Sequence, residues 1–209
     1  AKGPKAAMLL HKIAEVLERL PGREAEAVGS FRAAVEMDPF NQAAHRSLRR
    51  KLNELGQWAE LVRLLELGLS ATTDSAGRAR IAASLGDLFE NRLGRADRAL
   101  AAYEQALGAE PSFGPARVGR RRLLAQAGDH KRLVEVLELE AADTSDVSLS
   151  IVARLAAASV LRDELKEPRR AVATLESILA LAPEHLGALL GLEGLYTELA
   201  QWEGLVQVQ

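Results

Sequence analysis

The apolar residues in the middle third of the chain fall into four short stripes. Ile81, Leu85, Leu88 and Phe89 recur at three- and four-residue spacing, the period of a helix with one apolar face. Leu93-Gly94-Arg95 interrupts that pattern, and a second stripe follows through Ala99, Leu100, Tyr103, Ala106 and Leu107 up to Glu110-Pro111. A third carries Ala116, Leu123, Leu124 and Ala127 and stops at Gly128. A fourth carries Leu133, Val134, Val136, Leu137 and Leu139 and runs out at Asp143-Thr144-Ser145-Asp146. Gly and Pro sit between the stripes, where a helix stops at little cost, and rarely inside them. The segment reads as four helices.

The pattern occurs three times. A shift of 72 residues, without gaps, brings Ala27 onto Ala99 and Ala171, Pro39 onto Pro111 and Pro183, and Ala44 onto Ala116 and Ala188. Leu61 and Val62 fall on Leu133 and Val134, then on Leu205 and Val206; Trp58 returns as Trp202, with His130 between them. Phe31 is matched by Tyr103 and Leu175, and Leu52 by Leu124 and Tyr196. A fixed period of this kind marks a repeat array. It predicts one repeat domain over 1–209, in units near 1–72, 73–144 and 145–209, with about twelve antiparallel helices in six hairpins and no strand. Breaks are expected near 21, 38, 56, 73, 94, 111, 128, 145, 166, 183 and 200. Gln209 aligns with Leu65 and Leu137, inside a fourth helix, and the chain opens Ala1-Lys2-Gly3-Pro4 without methionine. It therefore reads as a fragment of a longer protein. An array shows its apolar end face to water unless a cap covers it, so the C-terminal end is expected to be apolar and a route to oligomerisation.

These residues resemble the tetratricopeptide repeats. That family's signature is a large residue, Leu-Gly and Tyr on the first helix of a hairpin, with Ala, an aromatic and Pro on the second. Leu85-Gly86 with Phe89, followed by Ala99, Tyr103 and Pro111, fits well. Ile13-Ala14, Leu17, Ala27, Phe31, Ala34 and Pro39 fit moderately, and Ala157-Ala158, Leu161, Ala171 and Pro183 more loosely. Ala99 lies one residue further from Phe89 than the family spacing. The alternate hairpins, 40–70 and 112–142, lack the closing Pro and put Arg49, Arg121 or Glu193 where the family has a small residue. The resemblance implies an all-α fold, a right-handed superhelical solenoid with a groove lined by the first helix of each hairpin. Gly86, Ala99 and Ala106 would let backbones approach, and Phe89 and Tyr103 would fill the space between layers.

Composition narrows the chemistry. Hydrophobic residues make up 48% and charged residues 27%, enough to build a core; aromatics are only 4%, and the abundant Ala, Leu, Glu and Arg favour helix. The net charge of −2 gives no bulk attraction to nucleic acid or an anionic membrane, and no apolar run is long enough to span a bilayer. Cysteine is absent, which removes disulfides, thiolate metal sites and cysteine nucleophiles and fits a reducing, cytoplasmic setting, the periplasm being the alternative. His11, His45, His130 and His185 fall on different hairpins without metal-ligand spacing, and no phosphate-binding loop occurs. The acidic pairs Glu15/Glu18 and Asp87/Glu90 have the spacing of a solvated helix face. No catalytic residue, cofactor or metal is expected. Trp58 and Trp202 open their helices either as core residues or as partner-facing anchors.

Two basic clusters, Arg46, Arg49, Arg50 and Lys51, then Arg120, Arg121 and Arg122, occupy equivalent places in successive units. Either neighbouring layers neutralise them through Glu15, Glu18, Asp87 and Glu90, or they form charged rungs that recognise a polar or acidic peptide. In family register the groove floor would carry His11, Glu15, Glu18, Arg46, Arg50, Asn53, Asp87, Glu90, Arg122 and Arg162, joined by Leu155 and Leu190 near the C-terminal end. A chaperone-type carboxylate clamp is not expected, since its Lys and Asn are missing. The reading is an interaction scaffold or adaptor for a protein or peptide partner, with an analogy to bacterial assembly, polarity and motility factors. Its rivals are the helical arm of a larger enzyme and a self-assembling spacer.

Overall fold

A computed structural model describes residues 3–200. Regular structure among them is all helical: α1 (Gly3–Leu17), α2 (Glu24–Met37), α3 (Gln42–Glu54), α4 (Trp58–Ala71), α5 (Ser75–Asn91), α6 (Ala96–Ala109), α7 (Gly114–Gln126), α8 (His130–Asp143), α9 (Val147–Asp163), α10 (Pro168–Leu179) and α11 (Leu186–Glu198). Every expected break falls between helices or just after α11. The expected twelfth helix lies outside the described residues. The period is kept to the residue: α2, α3 and α4 return as α6, α7 and α8 with both ends shifted by 72, and α7 returns likewise as α11.

Local chemistry explains why the ends repeat. Asn41, Asp74, Asp129 and Asp146 accept hydrogen bonds from the first free amides of α3, α5, α8 and α9, and His185 does so for α11. Where α2 and α6 meet their closing prolines, the next helix grips the turn. His45 Nε2 donates to the Pro39 carbonyl (2.9 Å), and the equivalent Arg117 Nε donates to that of Pro111 (2.7 Å). The left-handed turn positions also repeat: Gly22 and Gly94 are followed by Lys166 (φ 56°), and Gly56 and Gly128 by Ala200 (φ 54°). Glycine adopts this backbone freely, whereas a Cβ crowds the following carbonyl.

The chain forms two compact units, Ala1–Gly119 and Arg120–Gln209, divided within α7 and not at a 72-residue step. In the first, each helix from α1 to α5 packs on its successor, and α1 also touches α3. Tyr103 on α6 is the wedge between layers. Its ring lies against Gly86 of α5 and Gly119 of α7, and a Cβ at Gly86 would stand 2.5 Å from Cε1. Its hydroxyl donates to Glu90 (2.8 Å). In the second unit α9 packs on α8 and α10, and α10 on α11, around Leu161, Ile178, Leu192 and Leu195. The Tyr103 position is Leu175 there, with Cδ1 2.9 Å from where a Cβ on Gly191 would be. The Gly86 position is Ala14 in the first repeat and Ala158 in the third, while the Gly119 position stays glycine at Gly191.

Gly86→Ala should therefore lower stability by about 1–3 kcal/mol through overpacking, and adding Tyr103→Leu should recover most of it in chemical denaturation. Lys166→Gly should raise stability by about 0.5–1 kcal/mol by relieving the left-handed strain, read as a higher Tm.

Candidate functional site

Glu18, in the turn just after α1, faces Arg50 on α3. The carboxylate accepts two parallel bonds from the guanidinium, at 2.6 and 2.8 Å, and a third from Lys51 Nζ at 2.9 Å. Glu54 closes the network at 3.0 Å from Arg50 and 2.9 Å from Lys51. The Arg50 hydrogen bonds, helped by Lys51, hold the Glu18 carboxyl down at about 2. His11 belongs to the same seam. It is half-buried, with Nε2 3.0 Å from Ser47 Oγ and its ring 5.4 Å from that of Phe31, so it ties α1 to both α2 and α3.

The other residues expected on the floor are scattered in role. Glu15, Arg46 and Asn53 are exposed, and their side chains form no hydrogen bond or ion pair among the described residues. Asp87 accepts from Asn91 (2.7 Å), Glu90 from the Tyr103 hydroxyl, and Arg162 pairs with Asp163 (2.7 Å). Arg122 is exposed on α7. Leu155 is half-buried against the second unit's core, while Leu190 stands in solvent on α11.

Half of the first basic cluster is thus neutralised by neighbouring acids, with Arg46 and Arg49 left exposed and unpaired among the described residues. In the second cluster, Arg120 and Arg121 approach Glu140 at 2.9 and 3.6 Å, and Glu140 is only 6% exposed. The first unit fills the Arg120 and Glu140 positions with Leu48 and Gly68. That interchange marks the pair as an interhelix filler.

Sequence reasoning missed most of the apolar surface of the second unit. Beside Leu190, α9 exposes Leu149 and Val152, and α11 exposes Leu186. The signal was available in the register: the first unit holds Lys5, Met8, Gln42 and Arg46 at these positions. On the second-helix side, one open cleft recurs in register. In the first unit it measures about 420 Å³ between α4, α5 and α6, bridged by Glu66 and Arg98. In the second it is about 290 Å³ between α8, α9 and α10, bridged by Glu138 and Arg170. It is smaller because Arg154, which bonds Ser177 at 2.5 Å, replaces Ala82. Among the described residues no group of three or more acids and histidines could hold a metal ion, and no helix is long and apolar enough to cross a membrane.

The hairpin with the best signature is the one that a family model matches. Residues 79–113, spanning most of α5, all of α6 and the turn beyond, match the family model described as tetratricopeptide repeat. Residues 79–113 are similar to a tetratricopeptide repeat. No curated protein matches the sequence. Among solved structures, MamA superposes with a TM-score of 0.53 at 16% identity, covering 84% of this chain and 91% of that one, which shows the fold. A tetratricopeptide repeat protein from Parabacteroides merdae (TM-score 0.49, 14% identity, 99% and 77% covered) and YrrB, described as having an unusual peptide-binding site (0.48, 16%, 88% and 90%), are also similar.

The Glu18 network makes a pH prediction for this repeat protein. A carboxyl held at about 2 in the folded chain, against 4.5 ordinarily, stabilises the fold above pH 4.5 and loses that contribution as pH falls toward 2. Glu18→Gln should cost roughly 1 kcal/mol at neutral pH, the modest figure reflecting the solvent around Arg50, and should flatten the acid limb of a Tm-against-pH curve.

Proposed function

We propose that this repeat protein is an interaction module that holds a partner protein on its first-helix surface, with α9 and α11 as the apolar anchoring zone. One observation carries the reading. Leu149, Val152, Leu186 and Leu190 stand in water at 57–68% exposure, at positions that the first 72 residues fill with Lys5, Met8, Gln42 and Arg46. Scattered apolar residues on a surface are ordinary, but several large ones on two first helices mark an interaction site. The partner that fits is an amphipathic segment whose apolar side seats on these residues, as in helix-in-groove recognition.

The bonded acids and histidines support binding over catalysis. Glu18 is locked by cations, His11 packs on Phe31, and Glu90 holds the Tyr103 hydroxyl. A scaffold of this kind suits an assembly, polarity or motility machine of a bacterium, to which the Ala-, Leu- and Arg-rich composition points, and the absence of cysteine fits the cytoplasm.

A photo-crosslinking residue placed at Val152 or Leu190 in the intact protein, in cells, should capture one defined partner. Leu190→Glu, with helical content and Tm unchanged, should reduce its recovery about tenfold or more, as expected for an interface anchor. Capture only from second-helix positions such as Arg98, with none from 152 or 190, would move the site to the other side.

A further inference from the structure

The cleft on the second-helix side is built twice, and its two copies treat their charges differently. In the second unit, between α8, α9 and α10, each guanidinium is answered from within. Arg154 lies inside the cleft, 2.5 Å from Ser177 Oγ and 3.3 Å from Ser150 Oγ. Arg170 pairs with Glu138 at 3.1 Å and with Glu167 at 2.7 Å. The protein plugs this copy with its own side chain.

In the first unit, between α4, α5 and α6, the register replaces those partners. Ala82 stands for Arg154, Gln105 for Ser177, Arg78 for Ser150 and Arg95 for Glu167. The plug is gone, and about 420 Å³ is open above a floor of Leu69, Leu85, Phe89 and Ala102. Arg98 sits over the Phe89 ring, 4.4 Å from its centroid. Its one acid among the described residues is Glu66, at 3.5 Å, beyond the usual length of a hydrogen bond. Arg78, half-buried, reaches the carbonyls of Leu69 and Thr72 at 3.4 Å and pairs with no acid among the described residues.

Closing the end of α4 does not account for the Arg78 charge. At the same register Ser150 Oγ donates to the Ala141 carbonyl at 2.8 Å, a shorter bond from a neutral group. A guanidinium partly withdrawn from water carries a desolvation cost that a nearby anion offsets. Arg78 and Arg98 thus line a cationic recess with an apolar floor, and its complement is an anionic group beside an aliphatic one.

We propose that the cleft between α4, α5 and α6 binds a short acidic segment of a partner protein. A Glu or Asp carboxylate sits between Arg78 and Arg98, and an adjacent aliphatic side chain rests on Leu69, Leu85 and Phe89. Carboxylate and guanidinium match as a two-bond fork, and about 420 Å³ is within the range of ligand recesses. The site is independent of the surface on α9 and α11.

The probe is the peptide acetyl-Leu-Glu-Leu-amide, with acetyl-Leu-Gln-Leu-amide as its neutral match. Each is titrated into the full 209-residue chain and followed by amide NMR shifts. The acidic peptide should shift Arg98, Ala101 and Ala102 saturably, with a Kd on the order of 1 mM. The neutral peptide should bind about tenfold or more weakly, the loss expected when a charge-assisted pair is removed. Arg78→Gln should bring the acidic peptide down to the level of the neutral one. The triple change Arg78→Ser, Ala82→Arg and Gln105→Ser installs the plug of the second unit and should abolish binding. If the triple variant melts early, Arg78→Gln still decides, because that side chain makes only the two long carbonyl contacts. Shifts that do not saturate by about 10 mM, equal shifts from the two peptides or from sodium acetate alone, or binding undiminished in Arg78→Gln or in a folded triple variant would each overturn the proposal.

Discussion

Tyr103 fills the space that Gly86 and Gly119 leave between three successive helices. A hairpin has more apolar surface than its own two helices can cover, so a side chain of its second helix must be received by the helix that follows. The receiving position has to be small where the wedge is large. Close packing then fixes the layer spacing, because a tightly filled interior does not give by a methyl group without strain. The rest of the array is arranged around that spacing: the proline turns gripped by His45 and Arg117, the capped helix starts, and the clefts that recur on the second-helix side.

With the frame repeated, individual positions are free to change chemistry. The Glu18 position carries a locked carboxylate in the first unit and Arg162 in the second. Arg120 and Glu140 occupy sites that hold Leu48 and Gly68 one unit earlier. A partly buried ion pair of this kind contributes little net stability over an apolar filler of similar volume, because desolvation offsets the attraction. Such swaps let surface character drift from charged on α1 and α3 to aliphatic on α9 and α11 while the helices keep their places.

That drift gives this fold something to recognise. Where charges such as Glu18, Arg50 and Lys51 are neutralised at home, discrimination falls to the uncovered aliphatic side chains and to polar groups such as Glu15 and Arg46 that have no partner among the described residues.

The sequence by itself determined the period, the helix boundaries and the wedge residues, because each depends on local rules: helical spacing of apolar residues, capping side chains, and Gly or Pro at ends. It also marked the left-handed turns through Gly22, Gly56, Gly94 and Gly128, and register alone would have extended them to Lys166 and Ala200. Tertiary structure decided which of the register-equivalent residues are available. Glu18 and Arg50 look alike in the sequence to Glu15 and Arg46, yet the first pair is consumed in a network and the second is left open. Leu155 and Leu190 look equally apolar, yet one turns into the core and the other into water. Exposure and pairing depend on which neighbouring helix arrives within a few ångströms, and that is set by packing between layers, which no local spacing encodes.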